Sequence, residues 1–79
     1  MPRYYFEIFD NGQSYPDEDG SDHTHDREAG DEAIGTLTHL AKDKLPDDGD
    51  HREFIAEVLD DKGKIVFHGT LTFRGTWMR

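Results

Sequence analysis

The sequence predicts an α+β fold of two layers, in which a mainly antiparallel four-stranded sheet, ordered β-β-α-β-β along the chain, carries one helix on one face. Two observations carry that expectation. Two pairs of segments rich in aromatic and β-branched residues are each joined by a tight-turn signal. Between the pairs lies a stretch whose apolar residues recur at helical spacing.

The first pair is residues 3–10, Arg-Tyr-Tyr-Phe-Glu-Ile-Phe-Asp, and a short return strand over 13–15, joined at Asp10-Asn11-Gly12. Pro16 and Gly20 interrupt the chain before the return strand can extend, so a carboxylate-rich loop is expected to about His25. Asp26 is placed to cap a helix over 27–44, with Glu28 complementing the positive end of the dipole and Leu45-Pro46 ending it. At 100° per residue, Ala29, Ala33, Ile34, Leu37, Leu40 and Ala41 fall within one arc of about 140° and define the inner face. Gly30 adds to an inner face of small residues that lets the helix approach the sheet. Gly35 projects outward, where it weakens the helix by ~1 kcal/mol relative to Ala.

After the loop Asp47-Asp48-Gly49-Asp50, strands expected over 53–59 and 64–73 flank Asp60-Asp61-Lys62-Gly63, a type I turn. In the last strand Ile65, Phe67, Leu71 and Phe73 alternate with Val66, His68, Thr70 and Thr72, and Gly69 leaves room for a bulky neighbour on the apolar side. The expected core is Tyr4, Phe6, Ile8, Ala33, Leu37, Leu40, Phe67, Leu71 and Phe73. Trp77 is costly to leave in water and is expected to pack against the rest.

A chain of 79 residues makes one domain, residues 1–79, and buries only roughly 60% of the surface its unfolded form exposes. Absence of Cys excludes disulfides and thiolate metal sites and fits a reducing, cytoplasmic setting. No charged leader with an apolar run is evident, and no run of about 18 apolar residues is present to span a membrane. Eighteen Asp and Glu stand against nine Lys and Arg, a net charge of -9, which repels phosphate backbones and makes a basic protein the natural electrostatic partner. The acidity is densest from Pro16 to Glu32, where Asp17, Glu18, Asp19, Asp22, Asp26, Glu28, Asp31 and Glu32 share one cation, Arg27.

That loop fails as a helix-loop-helix calcium site: with Gly20 as the sixth position, Tyr15 falls on the first and Asp26 on the twelfth, where a carboxylate and a Glu are required. His23 and His25 with Asp22 and Asp26 suit Zn²⁺ or Ni²⁺ by ligand type, although an i, i+2 pair shares one side only in an extended segment. For nucleophilic catalysis there is no Cys, and Ser14 and Ser21 lie in no motif tying them to a histidine. Neither a phosphate-cradling loop nor any cofactor signature is present, so no enzyme activity and no cofactor are expected. The remaining candidate is a surface. One helix covers one sheet face, and strand alternation then puts Tyr5 and Phe9 on the other, with Val66 and either Ile55 and Leu59 or Phe54, Ala56 and Val58. The expected interface set is Tyr5, Phe9, Ile55, Leu59 and Val66, with the edges of the second and third strands as a further route to pairing.

The opening Met1-Pro2-Arg3-Tyr4-Tyr5-Phe6-Glu7-Ile8 and the turn at Asp10 resemble a family of short bacterial proteins classed as a domain of unknown function. Pro16-Asp17-Glu18 with Gly20, Asp26-Arg27-Glu28-Ala29, Leu40-Ala41-Lys42-Asp43-Lys44-Leu45-Pro46, Asp60-Asp61-Lys62-Gly63 and Leu71-Thr72-Phe73 match the same family and extend the resemblance over nearly the whole chain. The resemblance implies no substrate or catalytic residue. Gly30 and Gly35 depart from the family's Ala-rich helix, and His23 and His25 are particular to this chain. The functional expectation is a non-enzymatic protein-interaction module or homodimer. The alternatives are a metal-binding protein using the His23/His25 loop and an acidic mimic of nucleic acid.

Overall fold

The computed structural model describes residues 1–45 and 51–79, so Pro46 and the turn expected at 47–50 lie outside the described residues. It confirms the α+β class. Strands β1 (Arg3–Asp10) and β2 (Gln13–Pro16) form the first hairpin, with Asn11 at φ 52° and Gly12 at φ 94°. Positive φ at both central residues is the mark of the turn that matches strand twist. A short strand not expected from the sequence, β3 (Ser21–Asp22), also pairs with β1. Helix α1 (Asp26–Lys44) precedes β4 (His51–Leu59) and β5 (Ile65–Arg74), and the strand order is β2-β1-β4-β5. All pairings are antiparallel.

Between β2 and β3 the ladder is completed by a side chain. Asp17 Oδ2 accepts from Phe6 N at 3.4 Å, while its Oδ1 accepts from Asp19 N and Gly20 N at 3.2 and 3.0 Å. The carboxylate so stands in for the strand that Pro16 interrupts. At the other hairpin, Asp60 Oδ1 accepts from Lys62 N and Lys64 N, both at 2.9 Å. These bonds, the Lys64 amide first, hold the Asp60 carboxyl below its usual range.

The core lies between α1 and the sheet: Tyr4, Ala29, Ala33, Leu37, Phe54, Ala56 and Val58 are buried, with Phe6, Ile8, Leu40 and Phe67 packed around them. Register decides which parity of β4 faces the helix. Phe6 pairs with Val58, Ile8 with Ala56 and Asp10 with Phe54, so those residues share the inner face. At its far end Asp10 and Arg52 form a largely buried ion pair, Nη2 to Oδ1 at 2.7 Å and Nε to Oδ1 at 2.8 Å, and the guanidinium lies 5.5 Å above the Phe54 ring.

The helix crosses the sheet diagonally. Near its start Gly30 faces Phe67 of β5, whereas Leu40 and Lys44 near its end line a groove with Ile8 and Tyr15 of β1 and β2. Leu71 and Phe73, expected in the core, therefore lie beyond the helix and are 37% and 39% exposed. Ile34, expected inward, is half exposed beside Val66 and Phe67. A bulge corrects one further expectation: Val58 pairs with Phe67 and Leu59 with Ile65, so Val66 has no partner and packs against the core instead of the uncovered face. Trp77, expected to pack, is 84% exposed.

Phe67 shows why the glycines matter. A Cβ at Gly69 would lie 2.9 Å from its ring, and one at Gly30 would lie 3.4 Å away, so the ring occupies a slot that both residues leave open. At Gly35 an added Cβ meets nothing within 4 Å. Gly35→Ala should therefore raise the unfolding free energy by about 1 kcal/mol. Gly69→Ala should lower it by about 1–3 kcal/mol through overpacking. Urea denaturation of both variants checks this, and a gain at Gly69 would contradict the slot.

Candidate functional site

In the acidic loop, Asp17, Asp22, His23, His25 and Asp26 each make a separate internal contact. Asp22 lies 3.3 Å from Arg3 Nε across β3 and β1. His23 turns inward, 9% exposed, with ring centroids 5.9 Å from Tyr4 and 5.7 Å from Phe6. Its Nε2 sits 3.0 Å from Glu32 Oε2 and 3.1 Å from Ser21 Oγ, and its Nδ1 3.4 Å from Glu28 Oε1. It thereby ties the sheet to the first turns of the helix.

His25, not Asp26, caps α1. Its Nδ1 accepts from Glu28 N at 3.2 Å, and Glu28 Oε1 accepts from Thr24 N at 2.9 Å, a reciprocal arrangement that satisfies donors at the helix start. Asp26 is instead engaged by Tyr4, whose hydroxyl donates to Oδ1 at 2.7 Å. The four residues weighed as metal ligands thus have four separate duties. Among the described residues, no group of three or more His, Asp or Glu converges on a common point that would hold an ion.

Two of these contacts set acid–base behaviour. The hydrogen bond to Asp26, then burial, then the charges of Asp26, Asp60 and Asp61 push the Tyr4 phenol up to about 12. Glu28 is held below the usual carboxylate range, first by the Thr24 amide, against the opposing effect of burial.

The face opposite the helix carries Tyr5 and Phe9 of β1 opposite Leu59 and Ile55 of β4, all half-buried. A polar row divides it. Glu7 lies opposite Glu57, Ser14 Oγ donates to Glu7 at 3.1 Å, and His68 Nδ1 is 2.9 Å from Glu57 Oε2. Like charges directly opposed weaken a pairing, and the flanking Ser14 and His68 offset that.

The exposed large apolar residues gather elsewhere. Beyond Ile65, at 49%, β5 ends in Leu71 and Phe73 and is followed by Trp77 and Met78, 84% and 87% exposed. Of the two strands expected to offer an edge, β2 lies at one side of the sheet but the strand expected over 53–59, β4, is interior; β5 is the opposite edge, and among the described residues no strand pairs with its outer side. Alongside it, a groove of about 360 Å³ opens between α1 and β5, lined by Asp26, Arg27, Gly30, Ile34, Val66 and Phe67. One signal for this surface stood in the sequence: residues 62–79 contain Lys62, Lys64, Arg74 and Arg79 and no carboxylate, so all 18 acids lie before them.

Fold and surface together define a small two-layer α+β protein in which His23, His25, Asp17 and Asp26 brace the packing and β5 leaves an edge with exposed apolar residues. The chain belongs to the family described as Domain of unknown function (DUF6894), which it matches over residues 3–72. Neither a curated protein nor a solved structure matches it.

The pH dependence of stability follows from the shifted groups. Tyr4 has a folded value above its ordinary 10.0, so its contribution is complete below pH 10 and is lost as pH rises through about 12. Glu28 acts with the opposite sign: its contribution is present above the ordinary 4.5 and disappears as pH falls through its lowered value. Tyr4→Phe should flatten the fall in urea midpoint between pH 10 and 12 while leaving the acid limb in place. An unchanged alkaline limb would remove the Tyr4–Asp26 bond from this account.

Proposed function

We propose that this chain is a non-enzymatic, cytoplasmic protein-interaction module that engages another polypeptide through the outer edge of β5 and the tail beyond it. One observation carries the reading: an edge strand spanning Ile65–Arg74 runs into Leu71, Phe73, Trp77 and Met78, all open to solvent on one end of the molecule. Long edge strands template pairing with other chains, and contiguous exposed apolar residues mark interaction sites. Arg74 and Arg79 lie at this end and Lys62 and Lys64 at the turn that opens the strand, and among the described residues none of them enters an ion pair within 4 Å. A cysteine-free composition suits a reducing compartment.

The half-buried Tyr5, Phe9, Ile55 and Leu59 supply less open apolar surface, and the Glu7–Glu57–His68 row cuts through them. No helix among the described residues is long and apolar enough to cross a membrane.

Site-directed photo-crosslinking in native lysate tests the reading. A photoreactive residue at position 72, on the outer strand, should give discrete polypeptide adducts, and the same group at Lys42 on the helix should not. No adduct at 72, or equal labelling at both, would sink the proposal.

A further inference from the structure

We infer that the β5 edge takes an extended acidic segment of a partner protein, added to the sheet as a fifth full strand, and this rests on the interaction-module reading above. The backbone supplies the first half of the recognition. Asn11 N donates to Glu53 O at 2.8 Å, so Glu53 turns its backbone groups toward β1. Alternation along an antiparallel strand then turns those of Phe54, Ala56 and Val58 toward β5. Their partners Leu71, Gly69 and Phe67 bond inward, and His68, Thr70 and Thr72 direct their N–H and C=O outward. This is a ready ladder for strand addition.

Side chains supply the second half. On the helix side an added strand meets Leu71 and Phe73, and further back the groove beneath Ile34, so alternate residues of the partner are apolar. Charge then selects its remaining residues. The edge and tail present Lys64, Arg74 and Arg79 with no carboxylate between residues 62 and 79. Among the described residues, Glu57 is engaged by His68, Glu53 by the Thr72 hydroxyl at 3.3 Å, and Asp60 by its own turn, which leaves Asp61 beside Lys62 as the acidic neighbour of the strand's start. At the mouth of the groove Asp31 is paired with Arg27 at 3.2 Å and Asp26 accepts from Tyr4. Salt at 0.1 M screens the distant acidic body beyond about 10 Å, leaving these local cations to decide. A second copy of the chain is the poorer fit, because its β5 carries no carboxylate to meet Lys64 and Arg74. The net charge of -9 points to a basic partner for the molecule as a whole; its segregation reverses that choice at the edge.

Trp77, the only tryptophan, stands at this end and reports on the test. Capped ten-residue peptides of alternating Val-Glu and alternating Val-Lys are titrated into the full chain in 0.1 M salt. The Val-Glu peptide should shift Trp77 emission to the blue, saturate, and bind at least tenfold more tightly than Val-Lys, with amide resonance shifts concentrated at His68, Thr70 and Thr72. Thr72→Pro removes an outward amide without touching the bonds to β4 and should abolish binding. Should that variant unfold, Lys64→Glu with Arg74→Glu still decides: the preference must invert toward Val-Lys. Equal affinities, a Val-Lys preference in the native chain, no binding by either peptide, or resonance shifts on the opposite face would overturn the inference. Adducts at position 72 together with any of those outcomes leave the interaction module standing and discard only its acidic partner. Absence of adducts discards the module itself.

Discussion

The seat of Phe67 between helix and sheet is the contact on which the rest of the structure depends. Its ring lies across Gly69 on its own strand and against Gly30 on the helix, with Leu37 closing the third side of Gly69. Two missing side chains let α1 approach β5 at its start, and the small inner residues Ala29 and Ala33 continue that close approach over β4. The axis then drifts toward β1 and β2, where larger Leu40 meets Ile8. A diagonal helix cannot cover both ends of a wide sheet, so the far end of β5 stays open. The open edge is thus a by-product of how the core closes.

Electrostatics are organised around the same geometry. Dense acidity in a loop suggests a cation site, yet three of its carboxylates answer donors the fold leaves over: Asp17 completes a broken ladder, Glu28 takes the Thr24 amide, and Asp26 takes the Tyr4 hydroxyl. His23 carries the tie inward, where two aromatic rings and two glutamates surround it. For so small a protein, hydrogen bonds between buried groups and the loop add order that apolar area alone supplies sparingly. The cations meanwhile collect on the last strand and tail. In a molecule acidic overall, the sign changes along this final stretch of the chain.

Local signals made much of this legible. Asn11-Gly12 and Asp60 to Gly63 placed both hairpins, the helical arc placed Ala29, Ala33 and Leu37 inward, and Gly69 announced a bulky neighbour. Each depends on residues a few positions apart, where backbone geometry dictates spacing. Other features depended on elements far apart in the chain. Both parities of β4 are apolar, so only register against β1 put Phe54, Ala56 and Val58 inside and left Ile55 and Leu59 outside. The bulge that turns Val66 inward leaves no mark in composition. Two histidines a residue apart look like a pair until one caps a helix and the other enters the core.

What the sequence determined by itself is the α+β class, the two hairpins, the inner face of the helix and the segregation of charge, because these are set by periodicity, turn chemistry and the plain order of residues. Tertiary structure alone decided the strand order, the diagonal of the helix and hence the exposure of Leu71 and Phe73 on an edge strand. The reason is that the crossing path is chosen by which side chains interlock between distant segments, here one phenylalanine and two glycines, and no local pattern encodes where a helix stops covering a sheet.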